Sequence, residues 1–265
     1  MHLTKHHGVG NDFLVLVDLD DAVPVDAGVA RALCDRRRGV GADGFIRVAP
    51  GGDGADVTMT LHNADGSVAE MSGNGIRCLA QALARARGVA TLDVAVATGG
   101  GRRRARLEPG ADGRTAWVEV DMGRAGPGPG PDRVVAAGLG AQTKMTTVDL
   151  GNPHLVLLVD DPGAVDLAAV GPDVSRHFEA GVNVEVVAPV EGRPGTLDMV
   201  VWERGVGITQ ACGTGACAVA VAAQGWGMVG ERVRVRMAGG EVEVVLGDAI
   251  TLAGPAVFVA EVIVP

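Results

Sequence analysis

The sequence predicts an α/β chain built from two copies of one strand-rich half, and three observations carry that expectation. First, landmarks recur in the same order: Gly10-Asn11-Asp12-Phe13 returns as Gly151-Asn152-Pro153-His154, Gly39-Val40 as Gly181-Val182, Asn63 as Glu203, and Ser72-Gly73-Asn74-Gly75 as Cys212-Gly213-Thr214-Gly215. The separations are 141, 142, 140 and 140 residues, as a duplicated unit requires. Second, most segments between the many glycines and prolines are short and rich in Val, Ile, Leu and Thr, a strand pattern. Third, each Gly-rich turn opens a stretch of small apolar residues with helical spacing.

In chain order, strands are expected at residues 13–18, 44–48, 57–61, 92–98 and 116–121 of the first half. Those of the second are 146–149, 155–159, 183–187, 197–202, 233–237, 241–246 and 257–263. Residues 29–37 predict a short helix, because Val29, Ala30, Leu33 and Cys34 share a face. Ile76, Leu79, Ala80, Leu83 and Ala84 share one too, with Arg77, Gln81 and Arg85 opposite, which predicts an amphipathic helix. Its counterpart, residues 216–224, is small and apolar all round and should be buried on every side. Residues 123–131, GRAGPGPGP, are expected to hold no regular structure. The halves therefore divide as 1–123 and 124–256, with a linker at about 123–133 and the last strand, about 257–265, rejoining the first half.

With 265 residues, 47% hydrophobic and 21% charged, the chain is globular and long enough for two ordinary domains. A net charge of −9 argues against a nucleic-acid partner, and the runs Arg36-Arg37-Arg38 and Arg102-Arg103-Arg104 are too short to reverse it. In residues 1–30, Asn11, Asp12, Asp18, Asp20 and Asp21 break up any apolar leader, so no signal peptide is expected. No apolar stretch reaches the roughly 18 to 20 residues of a membrane span. The expectation is a soluble, cytoplasmic protein with no membrane partner. Cys34, Cys78, Cys212 and Cys217 form no CxxC and no metal-type pairing, so no metal site is expected and each thiol must be packed or reactive.

A helix start presents unpaired N–H groups and a positive dipole end, and flanking glycines let a ligand approach that backbone. Each turn is thus a carboxylate or phosphate cradle. A thiol there gains stabilisation of its anion, which lowers its pKa and marks Cys212 as the reactive one. Cys78 and Cys217 fall inside their helices and read as packing. The P-loop ending is missing, and no Rossmann context surrounds either turn.

Taken together, Lys5-His6-His7-Gly8-Val9-Gly10-Asn11-Asp12-Phe13, Asn63-Ala64-Asp65-Gly66-Ser67, Gly73-Asn74-Gly75-Ile76-Arg77-Cys78, Gly151-Asn152-Pro153-His154, Asn183-Val184-Glu185-Val186-Val187 and Glu203-Arg204-Gly205 leading to Ala211-Cys212-Gly213-Thr214-Gly215 resemble the diaminopimelate epimerase family. The resemblance runs from residue 3 to the final strands. It implies two pseudo-symmetric domains, each a curled mixed sheet around a central helix, with the active site in the cleft between them. It implies conversion of LL-2,6-diaminopimelate to the meso isomer, without PLP or another cofactor, by two acid/base groups on opposite faces of the α-carbon. Carried over, Cys212 is one of those groups, and the amides of Gly73, Asn74, Gly213 and Thr214 hold the reacting carboxylate. Asn63, Asn152, Asn183 and Arg204 read the distal carboxylate, Glu203 meets an ammonium group, Asn11 lines the cleft, and His154 lies near the first-half acid/base and polarises it. A homodimer is compatible with the family.

Ser72 departs from the family, whose first-half cysteine falls there. A hydroxyl is a far weaker acid than a thiol and offers almost no basic anion at neutral pH; serine is also a common N-cap. Three readings stay open: an introduced Cys-to-Ser substitution that blocks turnover; a natural serine that donates a proton or works through His154 in a slow or one-directional enzyme; and a different substrate, since relatives acting on proline and hydroxyproline include Ser/Cys pairs, some of them dehydratases. A ligand-binding pseudoenzyme that keeps the cleft is the non-enzymatic reading. Ile208 and Gly44 are smaller departures.

Overall fold

The computed structural model describes residues 1–130 and 144–265. By contacts the chain forms two compact units, Met1–Asp121 with Ala253–Pro265, and Met122–Leu252.

In the first unit, β1 (His2–Gly8) runs antiparallel to β2 (Asn11–Val17), which lies parallel to β3 (Gly44–Pro50). Antiparallel to β3 comes β4 (Val57–Asn63), flanked by the short β5 (Val68–Ala69) and, in parallel, β6 (Leu92–Thr98). Next are β7 (Gly101–Pro109) and β8 (Thr115–Gly123), and β8 pairs with β17 (Ile250–Ile263), which pairs with β1. The pairing returns to its start, so the sheet curls fully around α2 (Gly73–Arg87). That helix packs on β1, β2, β3, β4, β6 and β7 and buries every residue from Gly73 to Ala84. Gly88, in the left-handed region at φ 64°, ends it where the chain leaves the sheet's interior.

The second unit repeats the sequence of pairings. β9 (Gly126–Pro127) and β11 (Pro153–Leu158) flank β10 (Met145–Asp149); β11 lies parallel to β12 (Asn183–Pro189), and β13 (Thr196–Glu203) is antiparallel to β12. β13 then meets the short β14 (Gly207–Thr209) and, in parallel, β15 (Arg232–Met237), which turns into β16 (Gly240–Val245) beside β17. The helix α4 (Gly213–Gly225) takes the place of α2 and packs on β10, β11, β12, β13, β15 and β16. Its alanines and Val219 are buried, as expected of a helix apolar all round, while Val221 is only half-buried.

A smaller helix packs outside each sheet. α1 (Ala27–Cys34) starts at Asp26, whose carboxylate accepts from Val29 N at 2.9 Å. It covers Leu14, Leu16 and Phe45 with Ala30 and Cys34. The expected helix over 29–37 stops short, because the Asp35 carboxylate accepts from the N–H groups of Arg37 and Arg38 at 2.7 and 2.9 Å and turns the chain away. α3 (Leu167–Ser175), not foreseen, covers Leu155, Val184 and Val186 with Leu167 and Val174.

Every expected strand lies within or overlaps an observed one. β1 and β7 were not foreseen, nor were the short β5, β9 and β14. Within the stretch expected to lack regular structure, β8 continues through Gly123, and Gly126–Pro127 pair with Val148 and Asp149; a proline is tolerated where a strand is this short. Residues 131–133 of the expected linker lie outside the described residues. Among the described residues, no helix is long and apolar enough to cross a membrane.

Candidate active site

Both glycine turns are helix starts with the same local geometry. Ser72 is the N-cap of α2, and its Oγ accepts from Gly75 N at 3.0 Å. Cys212 is the N-cap of α4, and its Sγ accepts from Gly215 N at 3.4 Å. An N-cap side chain satisfies one of the orphan donors of the first turn. The first two amides of each helix belong to Gly73 and Asn74 in one and to Gly213 and Thr214 in the other.

The second helical residue of each turn is tied to an asparagine at the turn of the neighbouring hairpin. Asn74 Nδ2 donates to Asn11 Oδ1 at 3.2 Å, and Asn152 Nδ2 donates to Thr214 Oγ1 at 3.3 Å. These are equivalent positions in the repeat. In the first unit the chain of bonds continues outward: Arg77 donates to Asn74 Oδ1 at 2.8 Å, and Asn11 Nδ2 to Asp43 Oδ2 at 2.9 Å. Asp43 and Asp12 share Arg36, and Lys5 joins Asp12 at 2.9 Å. Burial alone would raise the Asp12 carboxyl, but Arg36 and Lys5 hold it at about 2.

In the second unit the bonds continue inward. His154 Nε2 lies 3.2 Å from Asn152 Oδ1, and its Nδ1 lies 2.6 Å from Glu185 Oε1, with both side chains wholly out of solvent. Cys212 Sγ is 3.5 Å from the Thr214 hydroxyl. Burial raises the Cys212 thiol well above its ordinary value, and the nearby carboxylates of Glu203 and Glu185 add to the rise. The expectation of a thiolate at this helix start is corrected: one long bond from Gly215 and the dipole are outweighed by desolvation and two acids. Glu203 is itself raised, by burial first, while bonds from Thr209 and Cys212 pull the other way.

The remaining expected site residues take the following positions. Asn183 opens β12, and its Oδ1 accepts from Arg204 N at 2.9 Å. The Arg204 guanidinium is exposed and donates to the carbonyls of Ala180 and Gly181. Asn63 ends β4 and donates to Ser67 Oγ at 3.0 Å. The other three cysteines are buried thiols, with desolvation raising Cys34 to about 11 and Cys78 to about 12.

Comparison with known proteins selects one family. The diaminopimelate epimerase family model matches residues 3–126 and 146–259. The chain belongs to the diaminopimelate epimerase family. It is 41% identical over 279 residues to the diaminopimelate epimerase of Synechococcus elongatus, covering 98% of this chain and 96% of the relative. To that of Desulforudis audaxviator it is 42% identical over 274 residues, covering 97% and 96%. Among solved structures, a phenazine biosynthesis protein from Bacillus anthracis matches with TM-score 0.75 over 99% of this chain and 98% of its own, at 14% identity. A hydroxyproline epimerase from Agrobacterium vitis matches with TM-score 0.74 over 99% and 91%, at 17% identity. Those two likenesses show the fold alone: a mixed, sheet-dominated α+β architecture with few helices.

One buried residue of this diaminopimelate epimerase family member has no role that its sequence motif discloses. Glu185 is a carboxylate in the otherwise apolar run of β12, and it is fully buried. A charged residue at an inward strand position was the available signal.

Proposed function

We propose that the chain epimerises LL-2,6-diaminopimelate to meso-2,6-diaminopimelate without PLP, holding the reacting carboxylate between the helix starts of its two halves, 1–123 with 257–265 and 124–256. The observation that carries this reading is the repeated turn: two N-capped helix starts, each with its second residue tied to an asparagine at the turn of a hairpin. A carboxylate gripped by the amides of Gly73, Asn74, Gly213 and Thr214 would be polarised toward the charge that forms when the α-proton leaves.

In the reaction the α C–H bond breaks, its proton passes to a base on one face, and the electron pair spreads into the carboxylate. A new C–H bond then forms on the other face. Cys212 supplies one of these groups. As a thiol it is ready to donate; to act as a base it must first lose its proton. A substrate ammonium group beside Glu203 would offset the negative charge that keeps Cys212 protonated. Asn11, Asn63, Asn152, Asn183 and Arg204 fix the rest of the substrate, Arg204 by its planar fork. Opposite stands Ser72, whose hydroxyl supplies no basic anion at neutral pH, and both ring nitrogens of His154 are engaged by Asn152 and Glu185, so inversion is slow. Four cysteines that form no disulfide suit a cytoplasmic location, and a homodimer completes the reading.

The test is α-proton exchange in D₂O with LL- and meso-diaminopimelate, following deuterium and isomer ratio. Wild-type protein exchanges the proton facing Cys212 faster than it inverts the centre, and Ser72→Cys raises inversion by about 10² to 10⁴-fold. Exchange with neither isomer, before or after that change, overturns the reading; exchange of proline or trans-4-hydroxyproline instead assigns a different substrate.

A further inference from the structure

The positions behind the two turns are equivalent in register and opposite in chemistry. Phe13 pairs with Gly44 across β2 and β3, as His154 pairs with Asn183 across β11 and β12. Two residues further along stand Ile46 and Glu185. A Cβ at Gly75 would lie 3.3 Å from Ile46 Cδ1, and one at Gly215 would lie 2.7 Å from Glu185 Oε1. An apolar pair therefore backs the Ser72 turn, while an imidazole and a carboxylate back the Cys212 turn. Packing does not demand charge there, since the first half fills the same places with Phe13 and Ile46, both buried. Replacing two buried hydrogen-bonded partners by apolar groups of similar shape is often neutral or stabilising, so the second half keeps its pair for another reason.

We propose that Glu185 is a positioning residue for the amino-acid site: it holds His154 so that the ring donates from Nδ1 to Glu185 and from Nε2 to Asn152 Oδ1, which turns the Asn152 amide N–H toward Thr214 and the helix start. The inference rests on the proposed role of Asn152 in holding substrate. Glu185 Oε2 is buried without a hydrogen-bond partner, so the carboxylate is committed to the imidazole through its other oxygen. With glutamine at 185 the shape stays but the charge goes. The ring then keeps a single N–H, at Nδ1; Nε2 becomes an acceptor, and the Asn152 amide turns over to donate to it.

The experiment compares wild type, Glu185→Gln, Glu185→Asp and the double variant His154→Phe/Glu185→Ile, which copies the first half. In the unliganded protein, ¹⁵N spectra of His154 show two protonated nitrogens in wild type, one in Glu185→Gln, and two again in Glu185→Asp. In α-proton exchange Glu185→Gln raises KM by about tenfold with a smaller change in kcat, as expected for one misdirected hydrogen bond. The double variant melts no lower than wild type yet loses about 100-fold in kcat/KM, the scale of a misplaced substrate. An unchanged His154 spectrum in Glu185→Gln, or a double variant exchanging at the wild-type rate, overturns the proposal. If wild type exchanges neither isomer, the functional reading fails separately, and the His154 spectra still decide the positioning role.

Discussion

Gly215 faces Glu185 so closely that a Cβ would sit 2.7 Å from the Oε1 oxygen. That oxygen is the free end of a side chain, but it is fully buried and bound to His154 at 2.6 Å, so it cannot swing away. At Gly75 the nearest atoms would be Ser72 Cβ at 3.2 Å and Ile46 Cδ1 at 3.3 Å, a contact a small shift relieves. Alanine in a helix gains roughly 0.5–1 kcal/mol over glycine, whereas overpacking costs about 1–3 kcal/mol. Gly75→Ala is therefore expected close to neutral, and Gly215→Ala destabilised by about 1–2 kcal/mol with the Glu185–His154 bond disturbed. Urea unfolding of both variants checks this, and equal stability of the two would contradict the packing difference.

Burial and the carboxylates of Glu203 and Glu185 predict that Cys212 alkylates slowly. With Cys34 and Cys78 raised to about 11 and 12 by desolvation, the native protein should resist iodoacetamide at neutral pH, and the unfolded chain should take up label at all four cysteines. Glu203→Gln removes one of the two charges that hold the Cys212 proton. It should speed labelling at that site, about tenfold for each pKa unit recovered. Mass spectrometry of the labelled peptide gives the rate; rapid labelling of Cys212 in the wild type at pH 7 would show that the thiolate dominates after all.

Much of this architecture was legible because repetition and periodicity are written in side-chain type. The strands with apolar faces and the two helices opened by glycine turns follow from local pattern, while Asn11, Asn152 and Thr214 were marked by the repeat and by the family resemblance. The misses share a cause: the stabilising contact comes from elsewhere in the chain. β7 reads as a basic run, Arg102 to Arg104, yet Ala105 and Leu107 supply its buried face and Asp93 on β6 pairs with Arg104 and Arg106. α3 hides behind Gly171-Pro172, a pair that normally breaks helices. Gly171 is needed there because a Cβ would come within 2.4 Å of the Trp202 ring. Glu185 hides for the opposite reason, since one acid in an apolar strand gives no hint of the histidine 31 residues away that receives it.

A buried histidine outside the site should set the acid limit of the fold. His6 is wholly enclosed, with Nδ1 2.8 Å from Gln81 Oε1, an arrangement in which the neutral ring donates. Its Nε2 is buried without a hydrogen-bond partner, so a second proton there would find no acceptor. Desolvation therefore lowers His6 from 6.5 to about 4; the Gln81 bond works against that fall, while Arg85 and His7 add to it. Between these two values the unfolded chain carries the proton and the native one does not, so stability rises with pH across the window. It is complete above pH 6.5 and lost as pH falls toward 4, about 3 kcal/mol in all at 1.36 kcal/mol per unit. Asp12, held at about 2, adds its own loss only below the ordinary carboxylate range, whereas the raised Glu203 works in the opposite sense. The informative quantity is thus the difference between wild type and His6→Phe, whose ring suits the edge-on packing against Phe258. Urea unfolding at pH 4.5, 5.5 and 7 should show wild type losing stability on acidification and the variant losing about 2–3 kcal/mol less. Parallel pH profiles for the two proteins would mean that His6 takes up its proton without penalty, and the enclosure described for it would be wrong.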